Sequence, residues 1–371
     1  MTIRVIDSGS RRPVLLGCGL VEPASGTFRS MDDRAATFAA TLGITDEAVL
    51  HAFSATPRHL FLPGMDLDQV YRDDALPTRW DGNRPTSSST QPSLMAQMIE
   101  ALALDPGDRV LEIGVGTGYN AAVITRVTGA PVVSVDVQSD VVTDARAALT
   151  RAGVSNVRVE HGDGYDGFPG AGPYERIVVT CGVRGIPPGW LDQLTDGGFV
   201  LAPLAHGGLH PIVRIERDLR ATVQSGRASF MHAAGALYPI LSDDFPPPIG
   251  SCPEAAVSAA ASLGAAYNDF WFAAATLDRR ITQAEAAPGW LPALVDEDSV
   301  AWWDRQAAHA AGQRSAELLR HALDLVDRWE ALGRPAARAW STTLSQAPVT
   351  PPLLVAHSWR VEGGVEGGDP Y

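Results

Sequence analysis

The run Val110-Leu-Glu-Ile113, followed by Gly114-Val-Gly-Thr-Gly118, constrains the fold more than any other stretch of the chain. An apolar segment short enough for a buried strand leads into three glycines spaced two apart, and a helical pattern follows from about Asn120 to Thr128. Lacking a Cβ, these glycines let the chain turn sharply and let a ligand approach the backbone. The loop departs from the dinucleotide fingerprint Gly-x-Gly-x-x-Gly, because Tyr119 stands where the last glycine belongs. It is not a phosphate loop either, since no Gly-Lys-Ser/Thr follows.

The same alternation continues on both sides. Ser93 to Leu104 carries apolar residues at helical spacing until Asp105-Pro-Gly107 stops it, which predicts an amphipathic helix. After the loop come a β-rich run at Val132–Val137, a helix over about Ser139–Ala152, a strand at Val157–Glu160 and another at Arg176–Thr180. Strands alternating with helices of this length imply right-handed βαβ units and a parallel sheet covered on both faces. The expected fold is therefore α/β, a doubly wound Rossmann-like sheet.

Beyond Leu204 the pattern loosens. His206-Gly-Gly-Leu-His210 reads as a turn, and Pro211–Glu216 and Ala221–Val223 as antiparallel edge strands. Pro246-Pro-Pro-Ile-Gly250 breaks the chain. Ala-rich segments at about 254–277, 296–312 and 314–332 are expected to be helical, with Trp302, Trp303, Trp329 and Trp340 as core anchors. At the other end, residues 1–30 read as a loose arm or edge hairpin. Residues 31–56 read as helical, with Thr45-Asp46-Glu47 as a capping start. The glycine-rich tail from Val361 is expected to be mobile. These signals divide the chain into an N-terminal arm, helix and substrate-side segment (1–92), a core (93–245) and a mainly helical C-terminal extension (246–371).

Composition narrows the function classes. A formal charge of −14, with every one of the 29 cations an arginine, argues against a broad nucleic-acid surface. Arginine still grips carboxylates well, so an acidic peptide remains an admissible partner. No stretch approaches the roughly 20 apolar residues of a membrane span, and no signal peptide opens the chain, so a cytoplasmic location is expected. Cys18, Cys181 and Cys252 are too widely spaced for a zinc site or a disulfide framework, and no metal is expected. His206 and His210 lack a third ligand, and His161 reads as structural.

Acidic residues then follow three successive strands. Glu112 closes the first, Asp136 the second, about 20 residues past the loop, and Asp163 follows the third within Glu160-His-Gly-Asp-Gly164. An acid at the second position suits the two hydroxyls of a ribose. The third acid resembles the residue that class I methyltransferases place against the adenine amino group. That resemblance implies S-adenosyl-L-methionine as cofactor, held by Glu112, Gly114, Gly116, Gly118, Asp136, Asp163 and Gly164, with Gln91 adjoining.

From Pro57 to Leu204 the chain resembles the protein L-isoaspartyl (D-aspartyl) carboxyl O-methyltransferases. The resemblance rests on Pro57-Arg-His-Leu-Phe-Leu-Pro63, Tyr71-Arg-Asp-Asp-Ala-Leu-Pro77, Thr90-Gln-Pro92, the glycine loop, Gly162-Asp-Gly164, Pro173-Tyr-Glu-Arg-Ile177 and Leu191-Asp-Gln-Leu-Thr-Asp-Gly-Gly198. The family typically carries Thr-Ile-Ser-Gln-Pro or Thr-Ile-Ser-Ala-Pro before the first Rossmann strand, its serine beside the methyl donor and the accepting carboxylate. Ser88-Ser-Thr-Gln-Pro92 stands there, so Thr90 takes the serine's place, with Ser89 beside it, as the implied catalytic residues. The segment can also cap the helix that starts near Ser93.

The Ser-Ser-Ser-Thr-Gln-Pro variant, Val179-Thr-Cys181 and the long C-terminal extension resemble the branch associated with ribosomally synthesised modified peptides such as graspetides, lasso peptides or lanthipeptides. That resemblance implies methyl esterification of an aspartate in a ring-constrained peptide. The ester then closes to aspartimide, and hydrolysis can give isoaspartate. The alternatives are repair of isoaspartyl proteins and a non-catalytic peptide-binding module. A carboxylate is already anionic at neutral pH, so transfer to it needs alignment and no general base.

Overall fold

Strand order explains where a ligand can enter. The computed structural model describes residues 31–226, 228–241, 245–286 and 289–361. Two short helices, α1 (Met31–Ala39) and α2 (Glu47–Ser54), open it; the Asp46 side chain caps α2 by accepting the Val49 N–H at 2.9 Å. The predicted single helical region is thus two, parted at Gly43, whose φ of +71° suits glycine. The arm expected over 1–30 and the tail beyond Val361 lie outside the described residues.

After α3 (Leu67–Val70), a hairpin of β1 (Leu76–Asp81) and β2 (Arg84–Ser89) precedes α4 (Pro92–Ala101). The βα repeat follows as expected: β3 (Val110–Ile113), α5 (Tyr119–Thr128), β4 (Val132–Asp136), α6 (Ser139–Arg151), β5 (Val157–His161), β6 (Tyr174–Val179), α7 (Pro188–Leu191) and β7 (Leu194–Pro203). β8 (Ile212–Glu216) and β9 (Arg220–Ser225) then turn back antiparallel.

These strands form one nine-stranded sheet that the chain leaves and rejoins. Its order is β19 (Arg360–Val361), β16 (Trp340–Thr343), then β9-β8-β7-β6-β3-β4-β5, and β5, β4, β3, β6 and β7 are parallel neighbours. From β3 the chain winds outward through β4 to β5, then returns to the other side of β3 as β6. A reversal of this kind opens a crevice at the carboxyl ends of β3 and β6. Apolar side chains pack on both faces: Val49, Phe53, Ile99, Ile124 and Leu149 on one, and Leu111, Ile177, Trp190 and Val200 with the C-terminal region on the other.

The C-terminal region departs from the mainly helical expectation. It holds a second sheet, β10-β12-β13-β14-β15-β11, from strands β10 (Ile249–Ser251), β11 (Val257–Ala260), β12 (Ile281–Ala286), β13 (Gly289–Asp296), β14 (Ser299–Trp303) and β15 (Ala307–Gly312). Two helices accompany it, α8 (Tyr267–Leu277) and α9 (Ser315–Ala331), so the helix expected at 314–332 forms. The one expected at 296–312 is instead the β14–β15 hairpin, and the expected helix at 254–277 begins as β11. Alanine's helix propensity is worth only tenths of a kcal/mol per residue and yields to packing. Ala308 and Ala310 are fully buried on the sheet against α9. Trp302, Trp303, Trp329 and Trp340 are buried, as anchors should be. β16 (Trp340–Thr343) and β19 (Arg360–Val361) then extend the main sheet past β9, while β17 (Ser345–Gln346) pairs with β18 (Leu354–Val355). β9 is consequently not an edge.

Candidate active site

The crevice at the switch point is a cleft of about 1310 Å³. On one wall the loop after β3 is pressed between β6 and the hairpin. Gly114 has φ +99°, and a Cβ there would lie 2.6 Å from Thr180 Oγ1; one on Gly116, at φ +49°, would lie 3.0 Å from the Ser88 carbonyl. No other residue takes these positions without moving a wall. Gly118 then starts α5, and Gly164, packed on Ile113, closes the floor.

The three acids stand at the strand ends as expected, each in a different setting. Glu112 is fully buried; Asn120 Nδ2 donates to it at 2.7 Å, and the Ser134 hydroxyl donates to its other oxygen. Burial pushes its carboxyl up to about 7, against the pull of those two donors. Asp136 accepts from the Val115 N–H (3.1 Å), the Gly116 N–H (3.5 Å) and the Gln138 N–H (3.0 Å), and burial raises its pKa. Asp163 is exposed at the rim and caps the next turn through the Tyr165 N–H at 2.9 Å.

The opposite wall is the end of β2. Thr90 is half-buried in the lining. Ser89 is buried, and its hydroxyl accepts from Arg58 Nη2 at 3.2 Å. Arg58, fully buried, also donates to the carbonyls of Val70, Arg72, Asp74 and Thr90 at 2.9–3.2 Å. It therefore sets the path of the segment leading to Thr90. Gln91 Nε2 donates to Asp73 (3.0 Å) and Ser93 Oγ (3.1 Å), and Asp73 accepts the Ser93 N–H at 2.8 Å. The cap of α4 thus comes from Asp73 across space, not from Thr90.

Sequence reasoning missed Arg58, Asp73 and Asn120, and also Trp271, Gln283, Gly289 and Trp290, which bring the C-terminal region to the same cleft. The hairpin carried a readable signal, Asp81-Gly82 with Gly82 at φ +56°. The C-terminal residues carried none, because their approach is a long-range packing event.

The remaining candidates fall away. Cys181 lines the cleft, but burial pushes its thiol up to about 12, so it stays protonated. Burial lowers His206 and His210 to about 3, and His206 Nε2 lies 3.0 Å from the Phe272 carbonyl. His161 lies 3.1 Å from the Val137 carbonyl at the surface. Among the described residues no group of His, Cys, Asp and Glu could hold a metal, and no helix is long and apolar enough to cross a membrane. Cys18 lies outside the described residues.

What remains suits a cationic, hydroxyl-rich ligand. Three carboxylates and the buried Asn120 Oδ1, which has no hydrogen-bond partner among the described residues, face a loop that excludes side chains. A carboxylate accepts at about four positions, so Asp136, with three occupied, keeps capacity for a hydroxyl. These residues fit S-adenosylmethionine.

Comparison with known proteins points the same way. Residues 38–232 match the family described as Protein-L-isoaspartate(D-aspartate) O-methyltransferase (PCMT). A protein-L-isoaspartate O-methyltransferase of Thermotoga maritima is 45% identical over 165 residues, 44% of this chain and 51% of that protein. The Methanoregula boonei protein of the same name is 42% identical over 47% of this chain and 78% of its own length. A solved structure named protein-L-isoaspartate O-methyltransferase superposes with a TM-score of 0.54 at 27% identity, covering 89% of this chain and 99% of that one. At that coverage, the region beyond the core is not peculiar to this chain.

Proposed function

Since the chain belongs to the protein-L-isoaspartate(D-aspartate) O-methyltransferase family of S-adenosylmethionine-dependent carboxyl methyltransferases, we propose that it esterifies the free carboxylate of an isoaspartyl residue in a protein or peptide. The observation that carries this reading is one cleft with two walls, the acids and glycine loop on one and the half-buried Thr90 on the other. When bound, S-adenosylmethionine supplies an activated methyl group on a sulfonium sulfur.

The chain's own residues have a positioning task. Glu112, Asp136, Asp163 and the glycine loop hold the cofactor, with Asn120 as a further partner. Thr90 Oγ1 donates to the accepting carboxylate and aims one oxygen. Ser89, through Arg58, and Gln91, through Asp73, fix the segment that carries Thr90. The acceptor is already anionic near neutral pH, so no proton needs to be removed. Alignment alone is worth effective molarities on the order of 10⁵ M or more.

A second reading keeps the chemistry and changes the substrate to an aspartate in a ring-constrained, ribosomally made peptide. The cleft extends to Gln283, Gly289 and Trp290, a width compatible with a rigid ring. There the next backbone nitrogen attacks the methyl ester, methanol leaves and aspartimide forms. Incubation with cofactor and three peptides (isoaspartyl, linear aspartyl, cyclic aspartyl) separates the readings, with methanol released at alkaline pH as the measure. Esterification of the isoaspartyl peptide alone supports the first reading. Turnover of only the cyclic aspartyl peptide replaces it with the second, and esterification of none overturns both.

A further inference from the structure

Charge is distributed unevenly along the cleft. Its described lining holds the carboxylates of Asp81, Glu112, Asp136 and Asp163 but a single guanidinium, that of Arg84. Arg84 opens β2 at the hairpin tip, is exposed, and makes no ion pair among the described residues. Across the cleft stands His232, exposed to it and stacked on Tyr238 with ring centres 3.9 Å apart. Arg184 lies over the same tyrosine ring at 4.3 Å. Partial burial first, then the fields of Arg184 and Arg84, lower the His232 pKa and favour the neutral imidazole; with Nε2 accepting from the Tyr238 hydroxyl at 3.1 Å, Nδ1–H is left to donate.

A protein of net charge −14 with an acidic cofactor end repels an anionic peptide unless the acceptor end offsets that field. We infer that Arg84 and His232 form a subsite for a second carboxylate on the substrate, an acidic side chain adjacent to the residue that accepts the methyl group. The subsite rests on the isoaspartyl reading above and adds which peptides that site prefers. Arg84 supplies the charge from the hairpin side; His232, held in place by Tyr238, supplies a neutral donor from the other.

The test uses two synthetic isoaspartyl peptides that differ only in the residue after the acceptor, Glu or Gln. At low salt the wild type should favour the Glu peptide in kcat/KM by roughly three- to fivefold, the size expected of an exposed ion pair. The preference should shrink as salt rises past about 0.15 M. Arg84→Gln should bring the ratio near one, Arg84→Lys should retain it, and His232→Phe should reduce it. Esterification of both peptides without preference, or a preference that survives Arg84→Gln, overturns the subsite alone. Esterification of neither overturns the isoaspartyl reading and the subsite with it.

Discussion

Arg58 donates to Ser89 at 3.2 Å from a position with no solvent exposure. A hydroxyl that the sequence places beside the substrate is thus the fifth acceptor of a buried cation whose other four partners are backbone carbonyls. Desolvation lowers the Arg58 pKa to about 10, still far above neutrality, so the charge persists and depends on those acceptors.

Removing each end should therefore cost differently. Ser89→Ala deletes one hydrogen bond to a charge and should destabilise the fold by about 1.5–3 kcal/mol. Arg58→Met strands several buried acceptors and should cost more, about 3 kcal/mol or above. Urea midpoints measure both. Ser89→Ala should keep kcat within about threefold; a drop approaching that of the Thr90 variant would return Ser89 to direct contact with the substrate.

Thr90 has a different proposed task, because Arg58 holds its carbonyl and no bond among the described residues fixes its hydroxyl in the same way. Thr90→Val keeps the shape and removes the donor. Losing one hydrogen bond to a carboxylate is worth about 1.5–3 kcal/mol, so kcat/KM for the peptide should fall roughly ten- to hundredfold. Cofactor affinity and the thermal midpoint should stay near wild type. Wild-type transfer by the variant would remove Thr90 from the site.

Asp136 braces the loop through the Val115 and Gly116 N–H groups, and the proposed function gives it the ligand as well. Asp136→Ala frees the Val115 and Gly116 N–H groups as well as deleting a hydroxyl acceptor. Calorimetric titration with S-adenosylhomocysteine should show affinity reduced about a hundredfold, two charge-assisted bonds' worth. Asp136→Asn, which retains an acceptor, should recover part of the loss. Unaltered affinity in the alanine variant would mean that Asp136 only braces the glycine loop.

The legible and illegible parts of the chain separate by the range of the forces involved. The β3–glycine–α5 unit and the acids at 112, 136 and 163 were readable because strand, turn and helix preferences all act within a few residues there. The hairpin at 76–89 carried its own local sign in Asp81-Gly82 and was still missed. The Ala-rich stretch from 296 to 312 misled, since local propensity says helix, whereas burial of Ala308 and Ala310 under α9 makes it a strand pair. Arg58 was unreadable for a further reason: its acceptors lie 12 to 32 residues away, and nothing in their sequence announces a carbonyl turned toward a guanidinium.

Glu112 joins the site to the stability of the fold. Burial lifts its carboxyl from 4.5 to about 7. Between those values the folded chain holds a proton that the unfolded chain has released, so this residue's contribution is fully present below pH 4.5 and is lost as the pH rises through 7. At about 1.4 kcal/mol per unit, the loss is of the order of 3 kcal/mol. Burial acts the other way on His206 and His210. Lowered from 6.5 to about 3, they cost stability as the pH falls below 6.5, because the unfolded chain then binds protons that the folded chain refuses. The histidines are common to the wild type and to Glu112→Gln, so the difference between the two isolates the carboxyl. Unfolding free energies of both proteins at pH 5 and pH 8 should show the glutamine variant gaining on the wild type by about 2–3 kcal/mol across that interval. Parallel curves would mean that the hydrogen bonds from Ser134 and Asn120 outweigh burial and keep Glu112 ionised throughout.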